Sequence, residues 1–387
     1  MPERVGSLDE PGEPGKVVAQ VHSNAIYAQG HLLYLRENTL MAQPFDLGRL
    51  ETRGEAVPLA AEVPTVTQPA RLAAFTVSVG GLLAYHSGAA YAHSQIVWKD
   101  RQGKVLGNLG EPRTFVGQLE LSPDGERLVA DYSDRSGNDD LWIYDIARGV
   151  PTRFTFDPAQ DRTPIWSPDG GVIYFRSNRR GVNDLFRKAS NGAGAEELLL
   201  GDSAGKTPIS VSPDGTLLLY FSEEEKTESE IRVLPLTSAQ PGKKREPRVF
   251  LRAPLVLSGS RFSPDGQWIA YVSAESGQAE VYATPFPVPG GEKQISSGGG
   301  TMPRWRRDGK ELFYVTIDGQ LMATEIAARN GTLEVGRVQK LFDGIVTSRG
   351  VTYDVSADGQ KVLVVDDSDV SARPLTLVQN WTALLKK

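Results

Sequence analysis

A chain of 387 residues with 40 glycines, 25 prolines and 40% hydrophobic residues is turn-rich, with neither the fixed short period of collagen nor the polarity of a disordered chain. The formal net charge of −6, with both signs interspersed, excludes the concentrated basic face by which nucleic-acid binders displace counterions. There is no cysteine, which rules out disulfides, thiolate-bound zinc and thiol nucleophiles.

The N-terminus opens Met1-Pro2-Glu3-Arg4 and continues through a polar stretch rich in Gly, Pro and Glu. It has no charged-then-apolar leader, and no apolar run anywhere reaches the roughly 18 residues of a membrane span. This start points to the cytoplasm, or to a periplasmic or other extracytoplasmic place if the chain is a piece of a membrane-anchored parent. Residues 1–15 read as a flexible segment, and Lys16 to Val21 as a strand by β-propensity.

From there the chain repeats. Ser-Pro-Asp-Gly occurs at 122–125, 167–170, 212–215 and 263–266, with degenerate copies at 306–309 and 356–359 and weaker ones ending at Gly81 and Gly30. The final glycines stand 43 to 51 residues apart. That period, with strands on both sides of a turn, is the signature of propeller blades. Pro sets the first corner of each turn, Asp tolerates the second and Gly takes the positive φ.

Before each turn stands an apolar residue (Leu121, Trp166, Val211, Phe262, Trp305, Val355) that ends an innermost strand and packs between blades. After it comes a strand of high β-propensity, such as Val172 to Phe175 or Ile269 to Val272. A polar hairpin follows, then an acid (Asp140, Asp184, Glu230, Glu280) opening a third strand. A fourth, outer strand closes each unit. Helical periodicity is nearly absent, and only 382–387 forms a turn at the end. The expected fold is all-β: a single closed β-propeller of about eight four-stranded blades, with seven as the alternative count.

The last unit runs out of chain after an inner strand (352–356), a second (361–365) and a third (374–381). One body is expected over 16–387, its ring closed by residues 16–21 pairing with the last blade, 350–387. Mixing the chain ends in this way removes exposed edges.

Trp166-Ser167-Pro168-Asp169-Gly170, with Tyr174-Phe175 and Asn178-Arg179-Arg180-Gly181, resembles a TolB-type, WD40-like propeller repeat. Gly30 to Arg36, Leu40 to Asp46, Pro303 to Tyr314 and Asn380-Trp381-Thr382 are similar to the C-terminal, sensor-like propeller region of membrane-bound bacterial serine/threonine protein kinases. That resemblance implies a sensor module. It does not imply phosphoryl transfer, because the chain has no glycine-rich loop with a strand lysine and no His-Arg-Asp loop.

Four histidines, His22, His31, His86 and His93, form no His-x-His or His-Glu-x-x-His, and no Gly-x-Ser-x-Gly elbow occurs. His86 and His93 flank one hairpin and read as solvated residues. Asp134, Asn138, Asp139 and Asp140 crowd one hairpin, and Glu223, Glu224, Glu225, Glu228 and Glu230 another. Calcium is the ion such clusters would take, but neither has the spacing of a helix–loop–helix calcium loop. No cofactor and no metal site is expected.

The sharper constellation is Asp157 to Pro164, a linker from an outer strand to the next inner strand, on the face opposite the turns. Asp157, Asp161 and Arg162, with Lys206 and Arg71 from equivalent linkers and Arg304 beyond another, are the candidate ligand-binding residues. Converging about one axis, they would hold an anionic ligand or a peptide carboxylate. The plainer reading has Asp161 capping turn amides and Arg162 paired with Asp157. Trp166 and Trp305 read as core. The expected function is non-enzymatic recognition of a protein, peptide or small molecule on the loop face. The alternative is a hydrolase or lyase at the channel mouth, using paired carboxylates with or without a metal.

Overall fold

The computed structural model describes residues 2–5, 16–21, 23–36, 38–63, 73–87, 94–134, 137–223, 229–237, 245–253, 257–329, 331–347, 350–367 and 375–386. Among them there is no α-helix, only strands and one 3-10 helix, Trp381–Lys386. No helix is long and apolar enough to cross a membrane.

The Ser-Pro-Asp-Gly turns show why these residues fold as they do. Gly170 sits at φ 69°, and its amide donates to the Ser167 carbonyl at 2.9 Å. The Ser167 hydroxyl donates to Asp169 Oδ1 at 2.5 Å and accepts from the Val172 amide at 2.9 Å. Asp169 Oδ1 also accepts from the Gly171 amide at 2.9 Å. Serine and aspartate thus replace the backbone partners lost at the corner. The same serine–aspartate bond recurs at Ser122, Ser212, Ser263 and Ser356.

The chain divides into two compact units, 93–369 and 1–92 with 370–387. The larger holds six four-stranded antiparallel sheets, named here as blades from the inside out. Blade I is Phe115–Leu121, Arg127–Ser133, Asp139–Asp145 and Val150–Arg153. Blade II is Asp161–Trp166, Val172–Ser177, Asp184–Ala189 and Glu197–Leu200. Blade III is Gly205–Val211, Leu217–Glu223, Ser229–Pro235 and Arg248–Ala253. Blade IV is Leu257–Phe262, Trp268–Ser273, Glu280–Pro285 and Lys293–Gln294. Blade V is Thr301–Trp305, Glu311–Val315, Gln320–Arg329 and Thr332–Asp343.

Blade VI takes its inner strands, Tyr353–Val355 and Lys361–Asp366, from the end of the unit and its outer strands, Ser94–Asp100 and Val105–Arg113, from the start. Each blade packs apolar side chains on the next. Val129 and Leu141 of blade I meet Trp166 and Phe175 of blade II. Leu363 and Val365 of blade VI meet Leu119 and Leu128 of blade I.

Three of the acids that open the third strands, Asp140, Glu230 and Glu280, are buried and bonded within their blades, while buried Asp184 lies 3.5 Å from Arg180 and 3.8 Å from Lys206 of blade III. Asp140 takes Arg153 at 2.6 Å, and Glu230 takes Arg232 and Arg252 at 2.7 and 2.8 Å. Glu280 accepts the Ser296 hydroxyl and, at 2.8 Å, the Gly299 amide. They act as structural ties, since a buried charge persists only when paired.

The smaller unit holds the first two turn repeats. Ile26–Ala28, His31–Arg36, Thr39–Asp46 and Glu51–Thr52 form one sheet, to which Val57–Ala60 adds on Thr39–Asp46. Phe75–Val77, Leu82–His86 and Leu375–Gln379 form another. Leu33, Leu40, Leu83 and Trp381 share its core.

The chain ends pair differently from the expectation. Lys16–Gln20 lies antiparallel to Pro2–Val5, so the segment 1–15 contains a strand and 16–21 does not join the last blade. Its expected outer place is filled by Val105–Arg113, and Ser94–Asp100 takes the third place, in register with Lys361–Asp366 from Gln95↔Asp366 to Asp100↔Lys361. The expected third strand of that blade, Leu375–Gln379, pairs instead with Leu82–His86. Two strands from 94–113 satisfy the edge of Lys361–Asp366, leaving no ladder there for later residues to fill.

Candidate functional site

The six innermost strands of the larger unit line shared cavities. Five carry a register shift at the same place, between Phe115/Leu119, Arg162/Ile165, Pro208/Ser210, Leu257/Arg261 and Thr301/Arg304. A bulge bends its strand and re-aims the flanking side chains. At two of the five a non-glycine residue takes positive φ, Thr163 at 56° and Met302 at 54°. For a β-branched residue this is strained backbone, held by its surroundings. Asp131 holds Thr163: Oδ2 accepts the Thr163 amide at 3.1 Å, while Oδ1 accepts those of Gly117 and Gln118 at 2.8 and 2.7 Å.

On the face opposite the turns is a cavity of about 410 Å³, walled by Gln118, Asp131, Arg162, Arg176, Thr207 and Glu223 among others. Arg162 Nε donates to Asp139 Oδ2 at 2.7 Å. Arg176 Nη1 donates to Thr207 Oγ1 at 3.2 Å and lies 3.9 Å from Glu223. Burial, then the neighbouring Arg162 charge, lowers the Arg176 guanidinium below its ordinary range. Burial raises the Asp131 carboxyl against the pull of its three amides.

On the turn face a cavity of about 770 Å³ is walled by Glu120, Arg261, Arg304, Trp305 and Asp354 together with the turns themselves. Glu120, Arg261, Arg304 and Asp354 each stand two residues before the first residue of a turn copy, the same register as Ile165 and Ser210. Glu120 Oε2 accepts from Arg261 Nη2 at 2.5 Å, and Oε1 from the Trp166 amide at 3.2 Å. Asp354 Oδ2 accepts the Leu121 amide at 2.8 Å, and Oδ1 that of Val355 at 2.9 Å. Burial raises the Glu120 carboxyl and holds the Arg261 guanidinium down to about 10.

The sequence candidates fall in four places. Arg162 lines the first cavity and Arg304 the second. Asp161 is fully buried under Arg179 Nη2, at 2.9 and 3.1 Å. Asp157 lies 3.6 Å from the same arginine, and its Oδ1 caps the Ala159 amide at 2.9 Å. Arg162 therefore pairs with Asp139 rather than Asp157, and Asp161 takes a guanidinium rather than turn amides. Lys206 is buried, bonded to Asp202 at 2.5 Å and 3.8 Å from Asp184. Arg71, His22, His93, Glu224, Glu225 and Glu228 lie outside the described residues. Among the described residues no three His, Asp or Glu side chains converge as metal ligands would.

Trp166 is core, its Nε1 donating to the Glu120 carbonyl at 3.0 Å. Trp305 is only half-buried and lines the turn-face cavity, so it is not purely core. Sequence reasoning missed Asp131, Arg176, Glu120, Arg261 and Asp354. For the last three the signal was present: ionisable residues two positions before the turn in four of six copies.

Residues 80–242 match the family model of the TolB beta propeller domain, PD40. An uncharacterized protein of Agrobacterium fabrum is 29% identical over 198 residues, 48% of this chain and 66% of that protein. The peptidase YuxL of Bacillus subtilis, also uncharacterized, is 25% identical over 208 residues, 45% of this chain and 31% of the peptidase. The chain thus spans less than two-thirds of these curated relatives. A TolB-type protein from Agrobacterium tumefaciens, at 18% identity, superposes with a TM-score of 0.54 over 71% of this chain and 98% of its own. At that identity the likeness is one of fold, a TolB-type β-propeller architecture over the matched part of the chain.

Proposed function

We propose that this propeller is a binding or sensing module that takes a protein or peptide segment into the cavity opposite the turns. The observation that carries this reading is the pair Arg162 and Arg176 lining one cavity. Two guanidiniums near each other favour a partner that brings carboxylate or carbonyl oxygens. The fold supplies a rigid rim for such a partner. The similarity of 30–36 and 303–314 to kinase sensor regions supports a sensing role within a longer signalling protein.

A channel-mouth hydrolase is the second reading, favoured by the name of the Bacillus subtilis relative. Against it, Asp131 is bound to three amides, Asp139 to Arg162 and Asp161 to Arg179, so none is poised as acid, base or nucleophile. The decisive experiment is titration calorimetry with acidic and neutral peptides on wild type and on Arg162→Gln/Arg176→Gln, beside turnover assays on glycosides, esters and phosphoesters with and without calcium. Binding of acidic peptides lost by more than tenfold in the double variant supports recognition. Turnover abolished by Asp161→Ala would replace it.

A further inference from the structure

Arg304 is the one buried arginine of the axial register whose hydrogen-bonding edge is left open. Only 4% of the residue is exposed, and Nη1 donates to the Pro303 carbonyl at 3.0 Å. Nε and Nη2 are buried with no hydrogen-bond partner. These two nitrogens form the side-on edge of the guanidinium, whose parallel N–H bonds match the two oxygens of a carboxylate. The nearest acid meets that edge only through a long ion pair at Nε. Asp354 Oδ1 stands 3.5 Å from Nε, and both its oxygens are engaged by backbone amides at 2.8 and 2.9 Å. Glu120 is likewise committed, to Arg261 and the Trp166 amide.

A buried donor left without a partner is destabilising, the more so when charged, so a native protein that keeps one calls for an explanation. Here the side chain lines a cavity of about 770 Å³ open to the turn face. We propose that the turn-face cavity of the 93–369 unit binds a carboxylate-bearing ligand, received side-on by Arg304 Nε and Nη2, with the half-buried indole of Trp305 against its stem. The edge is closed to water in the free protein, so binding draws the guanidinium toward the cavity its residue already lines. A planar carboxylate fits better than a tetrahedral phosphate, because its two coplanar oxygens match the parallel N–H bonds of Nε and Nη2. This site lies on the face opposite Arg162 and Arg176 and stands independently of the function proposed there.

The test uses the full chain and defined probes: glutarate, triglycine, amidated triglycine and inorganic phosphate at matched ionic strength. Calorimetry and tryptophan fluorescence are read on wild type, Arg304→Lys, Arg304→Gln and Arg148→Gln, each checked for folding by circular dichroism. The expected result is saturable binding of glutarate or triglycine. Affinity should fall at least tenfold in both Arg304 variants and stay unchanged in Arg148→Gln, an exposed arginine outside both cavities. Binding of glutarate alone identifies a small acid as the source, and binding of triglycine lost on amidation identifies a peptide terminus. The proposal is overturned if no carboxylate saturates wild type, if phosphate binds as well as carboxylate, or if Arg304→Lys binds like wild type. Should both Arg304 variants unfold, failure of wild type to bind still sinks it.

Discussion

Arg261 Nη2 donates to Glu120 Oε2 at 2.5 Å, joining the innermost strands of blades IV and I across the axis, 141 residues apart in the chain. Both side chains are largely buried, so the pair is a tie whose value depends on both members being present.

Truncating Glu120 to Ala leaves Arg261 charged and unpaired, and should cost about 3–5 kcal/mol. Replacing both at once, Glu120→Leu with Arg261→Met, should recover most of that. Urea denaturation of the four proteins gives the coupling energy, and single costs that merely add would show no interaction.

The Glu120 carboxyl also sets a pH dependence. Burial raises it above its ordinary 4.5, with Arg261 and Arg304 pulling the other way. Above that value the folded protein keeps a proton the unfolded chain has released. The group's contribution is therefore full below 4.5 and is lost as pH rises through the raised value. Stability of wild type minus that of Glu120→Gln, followed upward from pH 4.5, should decline, and a flat difference refutes the assignment.

The turn aspartates run the opposite way. Serine hydroxyls lower Asp124, Asp169, Asp214 and Asp358 below 3.8. Their contribution is present above 3.8 and is lost as pH falls through the lowered values. Carboxyl-carbon NMR should show all four titrating below 3.8, and Ser167→Ala should return Asp169 toward it while leaving Asp214 unmoved.

Trp166→Ala removes a side chain buried between blades I and II together with its bond to the Glu120 carbonyl. Lost burial and the remaining cavity should cost about 3–5 kcal/mol, measured by urea denaturation. A loss below about 1 kcal/mol would place the indole in solvent.

Blade VI depends on 94–113, not on the N-terminus. Removing residues 1–20 should leave the unfolding of the 93–369 unit unchanged, whereas removing 1–113 should bare the edge of Lys361–Asp366 and cause aggregation. Differential scanning calorimetry with light scattering separates the two outcomes.

Much of the fold is legible in the residues. Each Ser-Pro-Asp-Gly closes its own turn through bonds spanning at most five residues, so eight turns mark eight sheet beginnings. The site is less legible. Arg162 was found from its linker, but its partner was taken as Asp157, five residues away, when Asp139 lies across the blade boundary. Asp131 and Arg176 sit on second strands, where nothing local separates a cavity wall from a core position.

The sequence by itself determined the repeat, the all-β class and the position of each turn in the larger unit, because turn chemistry and β-propensity act over a few residues. Only the tertiary structure decided that 94–113 rather than 16–21 completes the sheet of 353–366, and that Arg261 meets Glu120 while Arg304 is left with an open edge. Those outcomes depend on which strand edges and charges remain unsatisfied after the blades have formed, and no spacing along the chain records that.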